Sequence, residues 1–163
     1  MTICTKEQIL LQAKNVNLAY DGKQILRDVN FCVRDIVRPG MLQGQVVSLI
    51  GRSGIGKTQL FKLLAGLQHP TSGEILIHHD KPVKAGDMGI IFQNYYLFEW
   101  RTVFTSLMLA AKKNPAIAGK EKEMIAHYAE NFHLHDHLNK YPQQLSGGQR
   151  QRVSIIQQLL KGS

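Results

Sequence analysis

The chain has 163 residues, of which 44% are hydrophobic, and its 20 basic and 12 acidic residues give a net charge of +8. This length and composition predict one domain with an apolar core. The longest apolar run, residues 46–50, is far shorter than the roughly 20 residues of a membrane-spanning helix. The N-terminus lacks a secretory signal pattern, and Cys4 and Cys32 are too few for a disulfide framework or a metal knuckle. We therefore expect a chain of the reducing cytosol.

Apolar residues alternate near the N-terminus and predict two strands. Val16, Leu18 and Tyr20 form the first strand, and Asp21-Gly22 supplies a tight turn. The elements expected after this turn are a strand over residues 29–33, a surface loop over 34–44, a buried parallel strand over 45–50, a strand over 74–79 and a short strand over 88–92.

Helical spacing appears after residue 56 and again beyond residue 93. Leu60, Leu63 and Leu64 predict a helix that ends near Gly66. The later helices are expected after an N-cap at Thr102, over residues 124–132, and from an N-cap at Ser146 to Gly162. Strands followed by a helical segment favour an α/β core with an inserted helical subdomain.

Residues 51–58 fit the phosphate-loop pattern G-x-x-x-x-G-K-[ST] at every fixed position. Three glycines let backbone N–H groups approach phosphate oxygens, and the following helix adds the positive end of its dipole. Lys57 would reach the β- and γ-phosphates, and Thr58 would ligate Mg²⁺. A dinucleotide site is the rival interpretation, but the glycine spacing does not fit it and Lys57-Thr58 would have no role there.

A second phosphate-binding surface is predicted at Leu145-Ser146-Gly147-Gly148-Gln149. Its small residues begin a helix, so N–H groups and a positive dipole end are exposed. Because neither surface can enclose a nucleotide alone, we expect two copies to pair head to tail.

With both motifs in this order, the chain resembles the ATP-binding subunits of ABC transporters over nearly its whole length. The resemblance implies an α/β fold: a P-loop NTPase core with an antiparallel β subdomain and an inserted helical subdomain, incomplete at the C-terminus. Residues 1–93 would hold the ATP-binding core with its β subdomain, and residues 94–163 the helical subdomain and the signature helix.

The resemblance also assigns roles to individual residues. Tyr20 would stack on adenine, Lys57 and Gln93 would be catalytic, and Thr58 and Gln93 would ligate Mg²⁺. The residues expected to contact ATP are Tyr20, Gly51, Arg52, Ser53, Gly54, Ile55, Gly56, Lys57, Thr58, Gln93, Ser146, Gly147, Gly148 and Gln149. For Tyr20, a plain sheet-edge role remains an alternative.

Residues 98–103, Phe-Glu-Trp-Arg-Thr-Val, look like a stretch of importer subunits for nitrate, sulfonate and taurine, with Glu99 where proline is usual. In that family the stretch touches the membrane permease, so Phe98 and Trp100 are candidate contacts; the alternative is that both belong to the core of the helical subdomain. The expected partners are a second ATP-binding subunit and a permease, at the cytoplasmic face of the cell membrane.

A nucleic-acid-binding protein and a metal-binding protein are both disfavoured. The basic residues are scattered and have no aromatic residues between them, which does not favour nucleic-acid binding. DNA-repair ATPases share both motifs but separate them by a long coiled coil, and no sustained heptads occur here. No nucleic-acid partner is therefore expected. His133, His135 and His137 lack the Glu or Cys that would complete a familiar metal-ligand set, and solvated histidines are the simpler interpretation.

The family continues with an apolar strand ending in Asp-Glu, which delivers a Mg²⁺ ligand and a general base, and this sequence contains no such segment. We therefore expect the 163-residue chain to bind ATP poorly, to hydrolyse it negligibly and to be marginally stable. A non-catalytic module that offers its signature helix to a complete partner is the alternative to an energy-coupling ATPase.

Overall fold

The structure is a computed structural model that describes residues 5–37, 40, 44–78 and 80–162. It divides into two compact units, Met1–Asp87 and Met88–Ser163, called here the first and the second unit. The first unit contains β1 (Thr5–Tyr20), β2 (Lys23–Val37), α1 (Lys57–Leu64), β3 (Ser72–Ile77) and β4 (Lys81–Pro82). The second unit contains α2 (Val103–Ala111), α3 (Glu121–Asn131) and α4 (Gly147–Lys161), with 3₁₀ turns at Pro115–Ile117, His135–His137 and Pro142–Gln144. The domain boundary expected between residues 93 and 94 stays a prediction.

The strands form one antiparallel sheet in the order β2-β1-β3-β4. The hairpin predicted around Asp21-Gly22 is confirmed, because Tyr20 pairs with Lys23 across that turn. β2 continues to Val37, which pairs with Thr5, so the loop predicted to begin at residue 34 was wrong over its first four residues. The rest of that loop falls largely on residues 38, 39 and 41–43, which lie outside the described residues. The strand predicted over 74–79 is confirmed as β3, while residue 79 lies outside them.

A polar cluster interrupts the hairpin at an irregular step between Ala13 and Val16. Asn15 and Asp28 both have left-handed backbone angles, φ 49° and 45°. The Asp28 Oδ1 accepts from Asn15 Nδ2 at 3.0 Å and from Asn30 Nδ2 at 2.8 Å. These two hydrogen bonds, the Asn15 bond first, hold the pKa of the Asp28 carboxyl below its ordinary value. The cluster therefore links the two strands through side chains at the step where the backbone ladder is irregular.

The core of the first unit lies between the sheet and α1. Leu63 is fully buried and Leu60 is 7% exposed, whereas Phe61 on the same helix is 44% exposed. The helix therefore turns one apolar face to the sheet, as its spacing predicts. The buried residues of this cluster are Ala13, Val16, Leu18, Leu26, Leu60, Leu63 and Ile75.

The two strands predicted over residues 45–50 and 88–92 are wrong. Neither segment is assigned to a strand, and Val46 and Ile50 are 90% and 92% exposed. An extended apolar segment becomes a strand only when a neighbouring strand satisfies its N–H and C=O groups. Among the described residues no strand pairs with either segment.

The second unit is helical, and its three predicted helices are confirmed. Thr102 Oγ1 accepts from Thr105 N at 3.3 Å at the start of α2, and Gly162 ends α4 with φ 76°. These two boundaries are set by local capping chemistry, which is why the sequence located them. The buried core of this unit comprises Val103, Leu107, Ala111, Ile125, Leu134, Leu145, Val153, Ile156 and Leu160. Within the described part of the chain, no helix has the length and apolar character needed to cross a bilayer.

Candidate functional site

The phosphate loop, residues 51–58, turns on two glycines with left-handed backbone. Gly54 has φ 81° and Gly56 has φ 97°. A Cβ at Gly54 would meet nothing within 4 Å, so that side of the loop is open. A Cβ at Gly56 would lie 2.9 Å from Cδ2 of Leu26, so there the loop is pressed against β2. The loop is thus anchored at one glycine and open for a ligand at the other.

The N-terminus of α1 follows this loop without a side-chain cap. Gly56 is the N-cap residue, and no acidic residue lies in the first turn. The first N–H groups of a helix lack intrahelical acceptors, and together with the dipole they favour an anion. Because no side chain of the helix takes this position, the first turn is suited to phosphate oxygens.

Lys57 lies over the loop rather than extending into solvent. Its Nζ donates to the carbonyl oxygen of Gly51 at 2.7 Å and to that of Arg52 at 2.6 Å. Both acceptors belong to the loop itself, so the loop fixes the position of the ammonium group. Lys57 and the open Gly54 line the same cavity, so the lysine side chain is placed beside the open part of the loop.

A cavity of about 520 Å³ adjoins the loop, a volume typical of small-molecule sites. Its lining residues are Tyr20, Ile25, Ser53, Gly54, Gly56, Lys57, Thr58 and Gln59. The structure thus brings the predicted Tyr20 together with five predicted residues of the loop. Gly51, Arg52 and Ile55 belong to the same exposed loop but do not line the cavity.

Two lining residues, Ile25 and Gln59, were missed by the sequence analysis. Ile25 lies on β2 close behind the hairpin turn, beside Gln24, which pairs with Ala19. If the residues on the two sides of the turn had been paired in order, Ile25 would have been placed opposite the end of the strand that carries Tyr20. Gln59 lies in the first turn of α1, which directly follows the phosphate loop in the chain.

The Tyr20 ring is held at the cavity by its hydroxyl group. The Oη atom lies 3.2 Å from the Oε1 of Gln59, to which it donates, and it accepts from the Nε2 of Gln68. The residue is 44% exposed, so the ring is not buried in the core. A flat aromatic surface fixed at the mouth of a phosphate site is suited to stack on a planar base.

The lining residues fit a nucleoside triphosphate better than a free metal ion. The described residues that line the cavity include one lysine and three hydroxyl groups, on Tyr20, Ser53 and Thr58, but no carboxylate. Among the described residues no group of three or more His, Cys, Asp or Glu could hold a metal. Mg²⁺ commonly keeps several waters and binds through substrate phosphates, so Thr58 could contribute one ligand to an ion brought by a nucleotide.

Gln93 belongs to the second unit, where it lies exposed in a turn. The strand expected to end at this residue is not formed, as reported above. The assignment of Gln93 to catalysis and to Mg²⁺ therefore stays a prediction that rests on the resemblance.

The N-terminus of α4 also belongs to the second unit. It has a reciprocal cap, in which the side chains of Ser146 and Gln149 each accept from the other residue's backbone N–H. Ser146 Oγ accepts from Gln149 N at 3.3 Å, and Gln149 Oε1 accepts from Ser146 N at 2.8 Å. A Cβ at Gly147 or Gly148 would meet nothing within 4 Å, and both residues are exposed. Packing among the described residues therefore does not require glycine at either position.

An aromatic pair precedes α2. The rings of Phe98 and Trp100 lie 5.5 Å apart, and the Arg101 guanidinium lies over the Phe98 ring at 5.7 Å. Trp100 is 74% exposed and Phe98 is 41% exposed. The alternative that both belong to the core of the helical subdomain is therefore wrong for this structure.

A family model that describes ABC transporters matches residues 35–163. The chain belongs to the ABC transporter family. It is 33% identical over 160 residues to the sulfate/thiosulfate import ATP-binding protein of Pectobacterium atrosepticum, across 92% of this chain and 46% of that protein. It is 32% identical to the spermidine/putrescine import ATP-binding protein of Spiroplasma citri, across 94% of this chain and 43% of that protein. The chain thus spans less than half the length of these relatives.

Solved structures agree on the fold. An ATP-binding cassette in a dimeric post-hydrolysis state, bound to ADP and phosphate, is 27% identical with a TM-score of 0.71, across 94% of this chain and 70% of that one. An ATP-binding subunit of an ABC transporter is 28% identical with a TM-score of 0.68, across 93% and 62%. The predicted α/β fold, with its antiparallel sheet and helices, is confirmed.

Proposed function

We propose that this chain is the nucleotide-binding part of an importer that uses ATP to move a solute through a membrane permease. One observation carries the proposal: the cavity of about 520 Å³ joins a glycine loop, a lysine, an uncapped helix N-terminus and an anchored tyrosine ring. These groups match the phosphates and the base of one ligand. The family relationship and the names of the import proteins quoted above support ATP as that ligand.

Each group has a separate task in the proposed site. The N–H groups of the loop and of the first turn of α1 would hold phosphate oxygens, while Lys57 would neutralise charge on the β- and γ-phosphates. Tyr20 would stack on the adenine ring, and Thr58 would contribute its hydroxyl group to Mg²⁺. When bound, Mg²⁺ would supply further neutralisation of phosphate charge.

Hydrolysis would depend mainly on position and charge, because phosphoryl transfer needs little covalent chemistry from the protein. In the proposed roles Lys57 stabilises the charge that develops on the transferred group, and Gln93 orients the attacking water. Among the described residues, no carboxylate lines the cavity to accept a proton from that water. This observation favours a second candidate function, a nucleotide-binding module that hydrolyses ATP only with a complete partner.

The signature helix, α4, would complete the site of a second ATP-binding subunit. The exposed Ser146, Gly147 and Gly148 at its N-terminus, together with the half-buried Gln149, would approach the γ-phosphate held by the phosphate loop of the other copy. The lack of any packing requirement for the two glycines supports this role, because bulkier residues would obstruct a close approach.

The proposed transport partner is a permease, and the proposed location is the cytoplasmic face of the cell membrane. The exposed Phe98 and Trp100 offer an apolar contact to that partner. From the resemblance of residues 98–103 we infer a small anion of the nitrate, sulfonate or taurine type as the solute. The relatives quoted above are named for sulfate/thiosulfate and for spermidine/putrescine, so transport of a polyamine is the outcome that would contradict this choice.

Nucleotide titration tests the proposal. MgATP should bind weakly but measurably to the wild-type chain, and Lys57→Ala should weaken binding by a further factor of about ten or more, since a charge-assisted hydrogen bond contributes about 1.5–3 kcal/mol. Lys62→Ala removes a lysine from the same helix but outside the cavity and should bind like the wild type. Binding that is absent in the wild type, or equal in Lys57→Ala, would contradict the proposed site.

Phosphate release separates the two candidate functions. Steady release by the wild-type chain that Lys57→Ala abolishes would identify an ATPase in its own right. Binding without release, with release restored by a complete ATP-binding partner, would identify the non-catalytic module.

A further inference from the structure

The Gln149 side chain joins the start of α4 to the 3₁₀ turn His135–His137. Its Nε2 lies 2.8 Å from the Nε2 of His137, in a half-buried contact. Its Oε1 accepts from the backbone N of Ser146 at 2.8 Å. One amide group therefore contacts the helix N-terminus with its oxygen and the histidine ring with its nitrogen.

The donor and acceptor roles in this contact leave one protonation state for His137. A backbone N–H only donates, so the amide oxygen of Gln149 must face Ser146. The amide NH₂ group then faces the ring and donates, so His137 Nε2 must accept. A ring that accepts at Nε2 is neutral and carries its proton on Nδ1.

Nothing else in the described residues selects this tautomer. The Nδ1 atom of His137 is buried and has no hydrogen-bond partner among them. A partner at Nδ1 would fix the ring by itself, and its absence leaves Gln149 as the group on which the tautomer depends. The orientation of the Gln149 amide depends in turn on His137. An accepting Nε2 holds the amide NH₂ group, and this keeps the amide oxygen directed at the backbone N–H of Ser146.

We propose that His137, as the neutral Nδ1–H tautomer, is a positioning residue for the N-terminus of the signature helix. By holding the Gln149 amide it keeps Ser146 N and Gln149 N engaged in the capping box. The N–H groups of Gly147 and Gly148, which lack intrahelical acceptors by position, are then presented in one fixed direction. The consequence for ATP rests on the proposed function; the tautomer and its coupling to Gln149 do not.

Two-dimensional NMR of the imidazole nitrogens tests the structural part. In the wild-type chain His137 should show the Nδ1–H tautomer, while the exposed His133 serves as an internal reference. Gln149→Glu places a carboxylate, which only accepts, against the ring, so the proton should move to Nε2. Gln149→Met removes the amide and should abolish the preference for Nδ1–H. An Nε2–H ring in the wild type, or a His137 tautomer unchanged by both variants, would overturn the inference.

Two His137 variants test the functional part. His137→Leu removes the acceptor and should weaken MgATP-dependent association of two copies by about 3- to 10-fold, the value of one hydrogen bond. His137→Gln supplies an oxygen acceptor at similar reach and should restore association. Equal association of wild type and His137→Leu would overturn the positioning role. A wild-type chain that does not associate with MgATP would contradict the proposed function, while the NMR result would still decide on His137.

Discussion

Gly56 lies so close to Leu26 that any side chain at position 56 would have to displace the end of the leucine side chain. A Cβ on Gly56 would lie 2.9 Å from Leu26 Cδ2 and 3.4 Å from the carbonyl oxygen of Ile25. Leu26 is itself in the core of the first unit, with 8% of its surface exposed. The phosphate loop is therefore seated on β2 at its last glycine, and the geometry of the site depends on the hairpin beneath it.

Gly56→Ala is expected to destabilise the first unit more than Gly54→Ala. Both substitutions place a Cβ on left-handed backbone, at a cost of about 1–2 kcal/mol each. Only Gly56→Ala also displaces Leu26, which should add about 1–3 kcal/mol. Urea unfolding of the two variants measures the difference, and equal stabilities would show that Leu26 moves aside without cost.

Tyr20→Ala is expected to weaken ATP binding by about 5- to 100-fold, because base–aromatic stacking contributes about 1–3 kcal/mol. Tyr20→Phe keeps the ring and should lose less. Phe61→Ala is a matched control, since Phe61 has the same 44% exposure and does not line the cavity. Inorganic tripolyphosphate has no base, so its binding should be unchanged in Tyr20→Ala. Equal losses for both ligands would indicate a structural role at the sheet edge instead.

Ser146→Ala and Thr102→Ala remove N-cap hydroxyl groups with the same 3.3 Å geometry, one from α4 and one from α2. Each should cost about 1 kcal/mol of stability. If the N-terminus of α4 meets a nucleotide on a second subunit, only Ser146→Ala should also reduce MgATP-dependent association. Thermal unfolding and analytical ultracentrifugation provide the two measurements, and a parallel loss of association in Thr102→Ala would contradict a specific role for Ser146.

Asp28 is expected to make the hairpin sensitive to acid. Hydrogen bonds from Asn15 and then Asn30 lower the pKa of its carboxyl in the folded chain. A lowered folded pKa gives stability that is present above the unfolded value, about pH 4, and that is lost as the pH falls through the folded value. Urea unfolding across this range should show a smaller acid-induced loss in Asp28→Asn than in the wild type. Asn30→Ala keeps the carboxyl with one donor fewer and should lie between the two.

Helix boundaries were the most predictable part of the fold. Thr102 and Ser146 begin helices and Gly162 ends one, because each acts on backbone groups within three or four residues of itself. The hairpin was predictable for the same reason, since its turn at Asp21-Gly22 is local.

Strands without a local partner were not predictable. Residues 45–50 have the composition of a buried strand, yet Val46 and Ile50 are exposed. Whether such a segment forms a strand depends on distant backbone groups that periodicity does not describe. The continuation of β2 to Val37 was missed for the same reason, because its pairing with Thr5 is a long-range event.

The sequence by itself determined the family, the phosphate loop with Lys57, and the capped start of the signature helix, because each depends on residues adjacent in the chain. Only the tertiary structure decided that Ile25, Gln59 and Tyr20 line one cavity, and that Gln149 selects the tautomer of His137. These residues come together only when the chain folds. Hydrogen-bond direction and close contact depend on the positions of atoms in the folded chain, which the order of residues does not give.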